Sequence, residues 1–430
     1  MNVISIISFI VCIGIFFSFF RTNSDLLSPG KIFSLVWCLV IGVTNLKLSF
    51  LQKSWPTDVW IQILIGPVAF MVGILFSYLI NFDKKIWTNL SLKENLNIFK
   101  LNYSKLFVIT IILFILFIVS YFIITLKAGT IPILAKKPWI VRRNFTMFGI
   151  GLFLHNVFLI VVLSCIYIIF EKNKKIKKIF IFFLALISVL MYSATLQRYQ
   201  VIFSIFLVFV LLYYTTYKIN LKSVIIIGLF IIGFFFLISS FRLGELALYI
   251  LYKISKMKFS PDYAIFTEPY MYIAMNLENF AHSIQKIDHF TFGFYSFDFF
   301  TALTGLKHWI KEYYFLIDDP YLISQSYNTY SAFWTFFRDF GILGVFFIPF
   351  GGGLGIGALY YSFKINPTIK KLVLYGMFLF AAIFSFFNSV VGFLWFFYNL
   401  IAVIIIFRLI TLPENNEKTI FNFNYTFSNK

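Results

Sequence analysis

Runs of roughly 17 to 25 apolar residues recur along the chain, and they constrain its fold more than any other feature. They occupy 3–20, 32–50, 59–80, 106–126, 148–170, 179–196, 201–217, 224–240, 342–363, 372–387 and 391–410. Inside hydrocarbon each segment must satisfy its own backbone hydrogen bonds, and runs this long and continuous lack the alternation of a barrel strand. The expectation is an all-α, polytopic integral membrane bundle of about 11 transmembrane helices. Charged residues make up only 12% of the chain, against about a quarter in soluble domains, which excludes an ordinary water-soluble enzyme. Arg21 follows the first run where a cleavage site would need small residues, and no basic stretch precedes it, so the run reads as a retained helix. Lys47, near the end of the second run, is expected to snorkel to the interface.

Short-loop cations set the orientation. Lys172, Lys174, Lys175, Lys177 and Lys178 crowd the connector 171–178, which marks it as cytoplasmic. Alternation from there places Lys84, Lys85, Lys93, Lys100, Lys105, Lys218, Lys222, Lys364, Lys370 and Lys371 on the same side, together with a tail at 413–430. The amino terminus is then outside. Residues 1–240 hold the first eight helices, 241–341 form a large helical cap on the outer face, and 342–412 hold the last three helices. The cap carries most of the chain's 17 acids, with His282, His289 and His308, and shows helix-spaced Leu246, Tyr249, Ile250 and Ile254.

Lys and Arg total 36 against 17 acids, and the cations that matter are those misplaced for a positive-inside protein. Lys127, Lys136, Lys137, Arg142 and Arg143 crowd one outer loop, Arg198 occupies the short turn 197–200, and Arg242 follows the eighth run. The three lysines read as interfacial cations reaching lipid headgroups. Arg198 and Arg242 sit in chain too apolar and too short for that, and with Arg142 and Arg143 they point to an anionic ligand. Guanidinium forks bind phosphate oxygens bidentately, and a low-dielectric rim strengthens the pairing.

Candidate acids and bases lie in the cap. Arg338-Asp339 is either an exposed ion pair of little energetic value or a site where Asp339 serves as general base, its pKa raised by partial burial. Glu245 and Glu278 are the competing carboxylates, and His282 is a further candidate base. The histidines have no metal-ligand spacing, so no metal site is expected. His155 reads as an interhelix hydrogen-bonding group, and Cys12, Cys38 and Cys165 as small hydrophobes. Gly351, Gly352, Gly353, Gly355 and Gly357 lack the Lys-Ser/Thr that follows a phosphate loop and read as close helix packing. Asp318-Asp319 has no nucleotide-binding context. No basic-aromatic soluble face exists to hold nucleic acid.

Four segments carry a resemblance: Ala194-Thr195-Leu196-Gln197-Arg198-Tyr199, Phe241-Arg242-Leu243-Gly244-Glu245, Tyr327-Asn328-Thr329-Tyr330, and Asp339-Phe340-Gly341-Ile342-Leu343-Gly344. In this layout the chain resembles the oligosaccharide repeat-unit polymerases, the Wzy-type O-antigen and capsule polymerases of bacteria. Gln197 departs from the pattern, which expects a small residue before the turn arginine. The resemblance implies a GT-C-like membrane glycosyltransferase of the bacterial cytoplasmic membrane that needs neither metal nor cofactor. Donor and acceptor would both be undecaprenyl-diphosphate-linked glycans, and a chain-length regulator would be a partner. Arg198 and Arg242, with Arg142 and Arg143, would stabilise the departing diphosphate, and Asp339 or Glu245 would take the acceptor proton. Arg338, Tyr327, Asn328, Tyr330 and His282 would contact substrate, with Tyr263 and Tyr270 as further stacking surfaces. The rival readings are a lipid-linked oligosaccharide flippase, which should show internal repeats that are not evident here, and an O-antigen ligase-like transferase.

Overall fold

The computed structural model describes residues 3–20, 24–94, 101–216, 226, 228, 233, 246–287, 289–306 and 321–411. Among these the chain is helical, without β-strands. The helices are α1 (Val3–Ser18), α2 (Pro29–Thr44), α3 (Thr57–Ile80), α4 (Asn89–Glu94), α5 (Tyr103–Ala128), α6 (Pro138–Asn144), α7 (Asn156–Phe170), α8 (Lys175–Ala194) and α9 (Tyr199–Thr215). After them come α10 (Leu246–Ile254), α11 (Thr267–Ile284), α12 (Asp298–Thr304), α13 (Ala332–Ile365), α14 (Ile369–Ile383) and α15 (Leu394–Ile410).

Among the described residues six helical stretches are long and apolar enough to cross a membrane: Thr57–Ile80, Tyr103–Leu134, Ile150–Phe170, Lys175–Ala194, Ala332–Ile365 and Ile369–Phe386. The apolar helices α1, α2, α9 and α15 are shorter. All ten fall on expected apolar runs, and the run 224–240 lies largely outside the described residues. This is an integral membrane helical protein. The outward faces agree with that solvent: α1 presents Ile7, Ile10 and Phe17, and α8 presents Ile179, Phe182 and Leu190, all exposed and apolar.

Helix ends follow local chemistry. Asn102, Ser331 and Thr368 each accept a hydrogen bond from the backbone three residues on, capping α5, α13 and α14. Pro29 opens α2, where its missing N–H costs nothing.

The bundle is built around α3 and α13, whose backbones touch through small residues. A Cβ on Gly73 would lie 2.7 Å from the Leu354 nitrogen, one on Gly353 2.8 Å from the Phe70 carbonyl carbon, and one on Gly357 2.5 Å from the Ser77 Cβ. Gly351 and Gly355 face open space. The glycine-rich stretch is therefore a packing surface on one side only.

The connectors gather into two polar ends. At one end Asp25, between α1 and α2, accepts hydrogen bonds from the Leu27 N–H (3.1 Å) and from the hydroxyls of Tyr213 (3.1 Å), Tyr214 (2.9 Å) and Tyr360 (2.8 Å). Lys364, at the end of α13, stands 3.0 Å from the same carboxylate and donates to Asn89. Burial disfavours the Asp25 charge, but Lys364 and the Tyr360 and Tyr214 hydroxyls outweigh it and hold the carboxyl below its ordinary range.

At the other end α10, α11 and α12 form the cap. Helix α10 carries Tyr249, Ile250 and Ile254 at the expected spacing, and all three are exposed. The cap is fastened by Glu278 of α11, whose carboxylate accepts from the Lys47 ammonium, Gln52 Nε2 (3.2 Å), the Lys53 N–H (3.4 Å) and Trp55 Nε1 (2.9 Å). Lys47 thus does not snorkel to headgroups: it turns inward at positive φ and pairs with the cap, over the Trp55 ring.

Candidate functional site

Three parts of the chain meet where the cap joins the bundle. The first is the turn between α8 and α9. Leu196 is buried at a φ of 58°, and Thr195 donates to the Tyr192 carbonyl at 2.7 Å, which together reverse the chain within a few residues. Gln197, the departure from the family pattern, accepts a hydrogen bond from the Tyr192 hydroxyl at 2.9 Å and so braces the turn. Arg198 follows as the residue that starts α9.

The second part is α6, which carries Arg142 and Arg143 in its last turn. Arg143 is exposed, whereas Arg142 is half-buried and acts electrostatically on the hydroxyls of both Tyr192 and Tyr199. Arg198 acts on the Tyr199 hydroxyl as well. Two of the arginines singled out by charge placement therefore lie within electrostatic reach of one tyrosine. Lys127, Lys136 and Lys137 are exposed, in keeping with an interfacial role.

The third part is the connector between α14 and α15. Asn388 is hydrogen-bonded to Tyr199, and Asn388, Ser389 and Phe393 form one wall of a cavity of about 240 Å³. Tyr295, Asp298, Tyr330 and Trp334 form the other. Tyr330 stacks on Trp334 with ring centres 3.9 Å apart, and Tyr295 meets Trp334 edge to face at 5.2 Å. Asp298, half-buried at the start of α12, is the carboxylate bordering this space.

Asp339 does another job. It is fully buried, and its oxygens accept from the Thr291 hydroxyl, the Tyr295 N–H (3.1 Å) and the Ser296 N–H (2.6 Å). A carboxylate so engaged holds a loop and has no face left toward a substrate proton. Nor does it form the exposed ion pair with Arg338 that adjacency suggested. Arg338 is 1% exposed and donates from Nη1 to the His289 carbonyl (2.7 Å), with Nη2 3.1 Å from the His289 ring and a further hydrogen bond to Tyr295. Burial lifts the Tyr295 phenol above its ordinary range, with Arg338 opposing. Both residues thus shape the cavity from behind, through the loop 289–296.

That loop also bends α13. Gly341 has φ 62° and ψ −149°, a conformation that only glycine adopts readily. The carbonyls of Arg338 and Asp339 are taken by the N–H groups of Thr291 and Phe292, each at 3.1 Å.

No protein-family model matches the chain, and neither a curated protein nor a solved structure matches it. The reading of the site therefore rests on its residues.

The remaining expected site residues distribute as follows. Arg242 and Glu245 lie outside the described residues, as does His308. Tyr327 is buried in the cap with its hydroxyl 2.6 Å from that of Ser255, Asn328 is exposed, and Tyr263 is exposed. Tyr270 donates to Gln52 inside the cap. His282 borders a separate cavity of about 210 Å³ beside Trp55 and Glu278. Glu278 is engaged by its four donors. His155 makes no hydrogen bond through Nδ1, against the interhelix role expected of it, and its ring faces Tyr192 at 6.5 Å. Among the described residues no group of His, Cys, Asp and Glu has the arrangement of a metal site.

Sequence reasoning missed Asp298, Asn388, Tyr199 and Trp334. The one signal available was the break Asn388-Ser389 between two apolar runs, since polar residues in so short a connector must find partners at the bundle end.

Proposed function

We propose that the chain is a membrane glycosyltransferase that polymerises undecaprenyl-diphosphate-linked oligosaccharide repeat units, with its cap on the outer face of a bacterial cytoplasmic membrane. The full architecture would be an eleven-span, GT-C-like bundle. The observation that carries this reading is the aromatic-walled cavity at the cap junction, lined by Asp298 and by Asn388, with Asn388 hydrogen-bonded to Tyr199 behind the lining and Tyr199 in the electrostatic reach of Arg198 and Arg142. Aromatic faces suit sugar rings, and paired guanidinium groups suit a diphosphate.

In this scheme Asp298 takes the proton of the acceptor hydroxyl as its oxygen bonds to the donor's anomeric carbon. The bond from that carbon to the diphosphate breaks, and Arg198 and Arg142 meet the charge on the leaving lipid diphosphate. The acceptor stays on its own carrier, and a chain-length regulator would act on the product.

The test is the lipid-linked product in a bacterium that makes its polysaccharide through this protein. Loss of a polymerase leaves single repeat units on the carrier or the surface. Single units trapped inside would mean a flippase, and long lipid-linked chains a ligase; either result refutes the proposal.

A further inference from the structure

The cavity where the cap joins the bundle is lined by one side chain whose polar atom the fold does not use. Trp334, in the first turn of α13, is 4% exposed and borders this space. Its indole Nε1 is buried, and among the described residues no acceptor lies within hydrogen-bonding distance of it. An indole N–H taken out of water ordinarily finds a partner, and leaving it without one costs stability. Two other indoles follow that rule: Trp37 donates to Ser385 Oγ at 3.0 Å, and Trp55 donates to Glu278 at 2.9 Å.

The ring is also held where it is. The Trp334 backbone N–H is taken by the Ser331 cap of α13, Tyr330 lies nearly parallel to the indole at 3.9 Å, and Tyr295 meets it edge to face at 5.2 Å. A donor fixed in this way serves an acceptor that comes to it. The other polar side chains lining the cavity are Tyr295, Asp298, Tyr330, Thr335, Asn388 and Ser389, and none of the described lining residues is a lysine or arginine. Hydroxyls, an amide and a carboxylate set among aromatic rings match a sugar, whose own hydroxyls both donate and accept, better than they match a phosphate.

We propose that Trp334 determines acceptor specificity: its Nε1–H donates to an oxygen of the acceptor sugar and so turns one particular hydroxyl toward Asp298. The inference rests on the glycosyl-transfer reading of this cavity and adds the group that selects and orients the acceptor.

The experiment uses the purified full chain in detergent. The probe is the single repeat-unit oligosaccharide cut by partial acid hydrolysis from the polysaccharide of a bacterium that makes it through this protein. It carries no lipid and no diphosphate, so its binding, followed by titration calorimetry, reports on the sugar cavity alone. Trp334→benzothienylalanine keeps the shape of the indole and replaces the N–H by sulfur. This variant should bind the oligosaccharide about fivefold more weakly, the worth of one neutral hydrogen bond. Without ligand it should melt at or above wild type, because the N–H it removes has no partner in the fold; a donor serving the structure would give the opposite sign. Gly392→Ala supplies a second variant: its Cβ would meet the Tyr295 carbonyl oxygen at 3.5 Å and Ser389 Oγ at 3.6 Å, ordinary contacts that the fold accepts while the cavity narrows. It too should bind the probe more weakly. Equal binding by wild type and the benzothienylalanine variant, no binding by wild type, or a lower melting temperature of that variant without ligand each overturns the proposal. Those results leave the polymerase reading standing, since that reading is decided separately by which lipid-linked product accumulates when the protein is lost.

Discussion

The contact between α3 and α13 allows a prediction with its own internal control. Gly353 and Gly355 lie two residues apart on the same helix, in the same apolar stretch. An alanine methyl at 353 would sit 2.8 Å from the Phe70 carbonyl carbon, whereas at 355 nothing lies within 4 Å. Carbon atoms pack comfortably at about 3.5 Å or more, and the Phe70 carbonyl oxygen lies nearer still, so Gly353→Ala must part the two helices by more than about 0.7 Å. Overpacking of this kind costs about 1–3 kcal/mol. Both alanines share the same gain in helix propensity, about 0.5–1 kcal/mol over glycine, so the difference between the variants isolates the overlap. Thermal unfolding of detergent-purified protein, followed by tryptophan fluorescence, should show Gly353→Ala melting several degrees below wild type and Gly355→Ala at or above it. Gly73→Ala should behave like Gly353→Ala. Equal melting of the 353 and 355 variants would refute the close contact and the helix pairing built on it. Because α13 is capped by Ser331 beside the stacked Tyr330–Trp334 pair, the parted helices should also lower polymer output.

Arg198→Ala and Arg142→Ala should each abolish long-chain glycan on a polysaccharide ladder gel at normal membrane levels, while Arg143→Ala, at an exposed position, should leave the ladder intact. Asp298→Asn should remove activity from a stably folded protein. Asp339→Asn should instead lower the amount of folded protein, because each buried donor of the 289–296 loop left without its acceptor costs about 1–3 kcal/mol. Lys364→Met strands the buried Asp25 charge and should destabilise by about 3–5 kcal/mol, with much of the loss recovered when Asp25→Asn is added. The Asp25 carboxyl is held below its unfolded value, so its stabilisation is complete above the ordinary carboxylate pKa of about 3.9 and is lost as pH falls through the lower folded value. Melting curves in acid should show that loss in wild type and a flatter profile in Asp25→Asn.

What the sequence made legible follows from range. An apolar run declares a membrane helix from its own residues, and ten of the expected runs carry apolar helices. Glycine packing was readable for the same reason, though not which glycines face α3. Arg142 and Arg198 stood out because cations in a short apolar connector need a partner wherever the chain goes. Carboxylates are different, since their role depends on donors that arrive from elsewhere. Asp339 resembled a base in sequence and proved to be a loop anchor, because Thr291, Tyr295 and Ser296 reach it across more than 40 positions. Asp25 attracted no notice, and its partner Tyr360 lies 335 residues away. Asp298 was one acid among many in the cap until Tyr295, Tyr330 and Trp334 closed around the space beside it.

The bend at Gly341 has a consequence for how the protein is made. Two carbonyls of α13 are completed by the N–H groups of Thr291 and Phe292, and the Asp339 side chain needs the same loop. During synthesis that loop leaves the ribosome about 45–50 residues ahead of the bend. The order is favourable: the docking strip already exists when Gly341 emerges, so the last three apolar helices can be threaded into the bilayer behind a corner that is already set. A circular permutant that moved the loop behind α13 would keep every contact of the finished protein and lose this order of assembly.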